Sequence, residues 1–96
     1  MVVEKMVGSR SAKRTVIVGN PAGLHARPSA AIAQAVRRFK SKVQIRSRNE
    51  VVDAGSILEL LTLGAQQGSD LVLTAKGPDA EQVLDAVVEE LSKRYE

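Results

Sequence analysis

The sequence predicts an α+β fold in which helices cover one face of an antiparallel sheet. Three observations lead there. The apolar periodicities run strand, helix, strand, strand, helix, strand, helix, and two strands in direct succession cannot belong to an all-parallel sheet. Residues 42–48 alternate strictly, with Val43 and Ile45 on one side and Lys42, Gln44 and Arg46 on the other, so one sheet face is buried and one is wet. A chain of 96 residues also suits one domain with a single thin core.

Residues 1–13 mix Gly8, Ser9 and Ser11 with charges and show neither helical nor strand periodicity, so they are expected to be an N-terminal extension, with the domain proper spanning 14–96. The β-branched run Thr15, Val16, Ile17, Val18 reads as a buried strand, closed by Gly19, Asn20 and Pro21. After the loop 20–25, Ile32, Val36 and Phe39 recur at helical spacing among alanines, and Arg37, Arg38 and Lys40 collect at the negative end of the helix dipole.

The alternating strand 42–48 turns at Arg48 and Asn49 into a brief strand through Val51 and Val52. Ser56 and Glu59 stand at capping-box spacing, which opens a short helix over 56–63 that Gly64 ends. Residues 71–75 form another buried strand between Gly68 and Lys76-Gly77-Pro78. The last helix starts at Asp79, with Gln82 in the capping-box position and an apolar face of Val83, Leu84, Val87, Val88 and Leu91.

Composition narrows the function classes. The absence of cysteine and the single histidine make a metal centre a poor reading, and no cofactor is expected. No apolar run has membrane-spanning length and residues 1–14 lack a secretory pattern, so a cytoplasmic chain without membrane insertion is expected. The net charge of +3, clustered at Arg37-Arg38 and around Lys40 and Lys42, favours acidic partners or nucleic acid only mildly. A nucleic-acid reader would need stacking aromatics, and the chain offers only Phe39 and Tyr95.

The informative stretch is Gly23-Leu24-His25-Ala26-Arg27-Pro28-Ser29, where a loop runs straight into a helix and carries the only histidine. Amides at a helix start lack intrahelical acceptors and lie at the positive end of the dipole, so an anion is stabilised there. With His25 as N-cap, the amides of Ala26 and Arg27 are the ones offered to an anion such as phosphate. Pro28 falls in the first turn, where its missing amide costs nothing. Imidazole is a nucleophile able to hold a covalent intermediate, and the guanidinium fork of Arg27 suits phosphoryl oxygens. A plain helix cap with a solvated arginine beside it is the bland alternative, and His-x-Arg alone does not separate the two.

The run GLHARPS resembles the active-site signature of the HPr family, the histidine-containing phosphocarriers of the phosphoenolpyruvate-dependent sugar phosphotransferase system. The segment GSILELLTLG, residues 55–64, is similar to the family's second landmark, and the element order agrees from about Thr15 onward. The resemblance implies an open-faced sandwich, βαββαβα, with strand order 1-4-2-3 and all helices on one side. It implies that His25 accepts phosphate on Nδ1 from a donor enzyme loaded by phosphoenolpyruvate and passes it to a sugar-permease component, with Arg27 as electrostatic helper. Leu24, Leu58 and Leu61 would then belong to the partner-docking surface, and Leu60 and Leu63 to the core.

On the same resemblance Ser56 matches a serine that an ATP-dependent kinase phosphorylates in some bacteria, which would add a serine kinase to the partners. Gly55 departs from the basic residue often found before that serine, and Ser29 stands where alanine is frequent. A carrier of the nitrogen-related regulatory branch, acting on regulatory partners, is the functional alternative. A self-sufficient enzyme is disfavoured because no acid-base partner or metal cluster accompanies His25. A monomer is the expected state.

Overall fold

The computed structural model describes residues 10–93. The elements in chain order are β1 Ser11–Ile17, α1 Ala26–Arg37, β2 Lys42–Ser47, β3 Glu50–Asp53, α2 Ile57–Leu63, β4 Asp70–Lys76 and α3 Ala80–Ser92. The four strands form one antiparallel sheet ordered β1-β4-β2-β3, as the resemblance implies. The registers Ser11↔Lys76, Lys42↔Lys76 and Gln44↔Asp53 place β4 and β2 centrally and leave β1 and β3 as edges.

The core lies between one sheet face and the helices. Val43 and Ile45 of β2, Leu71, Leu73 and Ala75 of β4, Ile32 and Val36 of α1, and Val83, Leu84, Val87 and Leu91 of α3 are all buried in one cluster. These are the faces that the periods of two and 3.6 predict. On the other face, Lys42, Gln44 and Arg46 of β2 meet solvent.

The first strand corrects two expectations. It begins at Ser11 rather than at Arg14, because Ser11, Ala12 and Lys13 pair with Lys76, Ala75 and Thr74. The sheet therefore claims three residues assigned to the extension, the Arg10 carbonyl before them accepts from the Gly77 amide at 2.8 Å, and the rest of that expectation, over 1–9, lies outside the described residues. Nor is the strand buried on both faces: Ile17 is 63% exposed, because helices cover only one side of the sheet and Ile17 points to the open one. On the covered side Arg14 reaches α3, where its guanidinium meets Asp85 at 2.8 Å and Glu81 at 3.0 Å.

Both predicted capping boxes are also corrected. Ser56 does cap α2, accepting from the amide of Glu59 at 3.2 Å, and Gly64 ends that helix at φ 60°. The return bond is missing, since the Glu59 carboxylate accepts instead from the amide of Asp53 at 2.9 Å, and the Ser56 amide donates to the Asp53 carbonyl at 3.1 Å. At α3 the N-cap Asp79 makes no capping bond. Its carboxylate accepts from the amides of Lys40 and Ser41, at 2.9 and 2.8 Å, and from the Ser41 hydroxyl at 2.5 Å. The Ser41 hydroxyl in turn accepts from the Asp79 amide at 3.1 Å. A tertiary link between the start of β2 and the start of α3 thus replaces a local one. The hydrogen bond from Ser41, followed by that from the Lys40 amide, holds the Asp79 carboxyl below its ordinary value.

Candidate functional site

The loop between β1 and α1 is fixed from three sides. The Gly23 amide donates to the Asn20 carbonyl at 2.9 Å, and the Asn20 side-chain amide returns to the Gly23 carbonyl at 2.9 Å. Asn20 is buried, so this pair is shielded from competing water. The Leu24 amide donates to the Ala65 carbonyl at 2.9 Å, which clamps the loop to the segment following α2. Gly23 itself has φ +71°, and a Cβ there would lie 2.5 Å from the Ala65 oxygen, so glycine is required by conformation and by space alike.

His25 is the N-cap residue of α1 in position but not in chemistry. Its backbone is extended, with φ −93° and ψ −165°, its carbonyl accepts from the Ser29 amide at 3.0 Å, and its side chain makes no capping bond. The imidazole is half-buried. Its Nε2 is the buried nitrogen and has no hydrogen-bond partner among the described residues. The plain-cap reading therefore loses its bond, and the ring is left for other chemistry.

Ala26 and Arg27 are the first two residues of α1 and both are exposed, so their backbone amides and the Arg27 side chain belong to the helix entrance that His25 caps. Pro28 is buried in the first turn, at a position where the helix asks for no amide hydrogen bond. The described α1 carries no acidic residue in its first turn that would compete with an incoming anion.

Leu58 is 75% exposed and Leu61 38% exposed, while Leu60 and Leu63 are buried, so α2 presents apolar side chains to solvent on one face and to the core on the other. α2 packs on α1, the helix that starts at His25. Leu24 corrects the expected docking surface: it is 4% exposed and belongs to the core cluster. Its side chain is spent on the core while its amide is bonded to Ala65. Ser56 stands at the start of α2, with its hydroxyl engaged by Glu59, and Arg37 of α1 donates from Nε to the neighbouring Gly55 carbonyl at 3.1 Å.

Sequence reasoning missed Asn20 and Ala65. Asn20 stands out in sequence only as a loop residue before proline, and nothing local marks Ala65, whose carbonyl matters solely through a contact across the fold. It noted Ser29 only as a departure from the frequent alanine, although its hydroxyl is fully buried with no partner among the described residues.

Residues 12–93 match the family described as the PTS HPr component phosphorylation site. The phosphocarrier protein HPr of Treponema pallidum is 40% identical over 83 residues, which cover 86% of this chain and 94% of that protein. The multiphosphoryl transfer protein of Haemophilus influenzae is 38% identical over 76 residues, covering 76% of this chain but 15% of that longer protein. Among solved structures, HPr-C-His from Thermoanaerobacter tengcongensis superposes with a TM-score of 0.80 at 32% identity, over 88% of this chain and 99% of that one. No helix among the described residues is long and apolar enough to cross a membrane.

Proposed function

The chain belongs to the HPr phosphocarrier family of the phosphotransferase system, and from that premise we propose that His25 accepts a phosphoryl group from a phosphoenolpyruvate-dependent donor enzyme and passes it to a sugar-permease domain. The observation that carries this reading is a half-buried histidine at a helix entrance whose side chain makes no capping bond. A nucleophile held there costs the fold nothing to expose to a donor, and the charge it would receive falls at the positive end of the helix.

Transfer proceeds by in-line displacement between two held imidazoles. Little covalent machinery is required, because positioning and charge stabilisation lower the barrier. The amides of Ala26 and Arg27 and the Arg27 guanidinium receive the phosphoryl oxygens, while Leu58 and Leu61 give partners an apolar surface. The chain acts as a carrier rather than as an enzyme complete in itself, drawing the rest of each reaction from its partners. That a similar segment forms part of a longer multiphosphoryl transfer protein supports this division of labour.

The test is intact mass after incubation with phosphoenolpyruvate and an active donor enzyme, for wild type and His25→Ala, before and after mild acid. One acid-labile phosphoryl adduct on wild type, absent from the variant, is the expected result. An inert wild type would overturn the carrier reading. Adding a sugar-permease domain or, separately, a nitrogen-branch regulatory acceptor then identifies which one discharges the adduct.

A further inference from the structure

Two buried polar atoms without partners belong to residues four apart in sequence at the start of α1: Nε2 of His25 and Oγ of Ser29. The first turn of the helix joins the two residues, since the Ser29 amide is bonded to the carbonyl of the N-cap His25 at 3.0 Å. A serine inside a helix commonly turns its hydroxyl back to the carbonyl four residues earlier, but Ser29 Oγ makes no such bond. Ser29 is 0% exposed, so a partner for its hydroxyl has to come from groups packed around it. Imidazole and hydroxyl are complementary, since Nε2–H donates and Oγ accepts.

We propose that Ser29 is a positioning residue for His25, its Oγ accepting the Nε2 proton of the phosphorylated imidazole and holding that proton in place through both transfers. The inference rests on His25 being the phosphoryl acceptor. With Nε2 buried, only Nδ1 leaves an open line to an incoming phosphorus. On loading, the Nδ1 lone pair forms the bond to phosphorus, and the electron pair of the breaking bond stays with the donor. The ring then carries phosphoryl on Nδ1, a proton on Nε2 and a positive charge.

That charged N–H is a stronger donor than a neutral one, and leaving it buried without an acceptor costs more. Rotation of Ser29 about χ1 between staggered positions is the small movement that meets it. On discharge the Nδ1–phosphorus bond breaks, its electron pair returns to Nδ1, and the ring leaves as neutral imidazole with the Nε2 proton unmoved. Loss of that proton beforehand would make imidazolate the leaving group, which is far poorer. No proton has to enter or leave the buried side at either step.

The experiment uses nitrogen-15-labelled wild type and Ser29→Ala, both loaded with phosphoramidate, which phosphorylates imidazole without a protein donor; the chain has a single histidine, so one adduct is read. Alanine favours the helix and removes a single buried atom, and amide spectra confirm folding of the variant. We expect the adduct on Nδ1 in both proteins and an Nε2–H in the loaded variant that exchanges with water about tenfold faster, the factor equivalent to one charge-assisted hydrogen bond. Equal exchange, or an adduct on Nε2, would overturn the role of Ser29. Should the variant fail to fold, wild type alone decides the matter: its loaded Nε2–H must exchange more slowly than in the urea-unfolded adduct, and equal rates would overturn the proposal. Loading by phosphoramidate without loading by the donor enzyme would count against the carrier reading and leave this test standing.

Discussion

Gly23 and Ala65 approach so closely that a Cβ on Gly23 would lie 2.5 Å from the Ala65 carbonyl oxygen, the same oxygen that accepts from the Leu24 amide at 2.9 Å. One backbone atom after α2 thus sets the height at which the following residue, His25, enters α1. Gly23→Ala has to move backbone against backbone and hold alanine at positive φ, so it should destabilise by about 2 kcal/mol or more in urea unfolding. Phosphoryl acceptance should fall even at temperatures where the variant is fully folded. Unchanged stability together with unchanged acceptance would show that the clamp does not position His25.

The Asp79 carboxyl, held below its ordinary value near 3.8 by the Ser41 hydroxyl and the Lys40 amide, makes the link to β2 sensitive to acid. A carboxyl lowered in the folded state contributes stability that is complete above its unfolded value and is lost as pH falls through its folded value. The stability gap between wild type and Asp79→Asn should therefore be constant above about pH 5 and shrink below about pH 4. Urea midpoints across that range check it, and a gap that grows on acidification would contradict the assigned direction.

Leu58 and Leu60 sit two residues apart on α2 with opposite surroundings, 75% and 0% exposed. Leu58→Ser should leave stability within about 0.5 kcal/mol while raising the KM of the donor enzyme for the carrier. Leu60→Ala opens a cavity in the core and should cost about 2–5 kcal/mol. Loading kinetics and unfolding curves of the two variants separate a docking residue from a packing residue.

Ser56 caps α2 through the Glu59 amide. Ser56→Ala should cost about 1 kcal/mol, read as a lowered thermal midpoint. Loading of His25 by the donor should persist in that variant, because the cap belongs to α2 and the proposed phosphoryl acceptor to the start of α1. Loss of loading would tie Ser56 to the chemistry of His25 directly.

Much of the fold is legible from local pattern. The alternation of Val43 and Ile45 against Lys42, Gln44 and Arg46, and the spacing of Val83, Leu84, Val87 and Leu91, report which face is buried, because side-chain direction follows backbone period. The site is legible in part for the same kind of reason: a loop entering a helix with His25, Arg27 and Pro28 together is a short-range arrangement. Ile17 misled because a run of β-branched residues reads alike whether one sheet face is covered or two. Leu24 misled because its neighbour His25 is partly open, while the chain between them turns one side chain in and the other out.

The order of elements, the faces of β2 and of the last helix, and the placing of the single histidine at a helix entrance were determined by sequence alone, since each depends on residues within a turn or two of one another. Tertiary structure decided what those residues face. It set Ala65 against Gly23, sent the Asp79 carboxylate across to Ser41 instead of its own helix, turned Glu59 to the amide of Asp53, and enclosed Nε2 of His25 and the Ser29 hydroxyl. Hydrogen-bonding groups take the best partner that packing brings near, and that partner can be 41 positions away, as Ala65 is from Leu24.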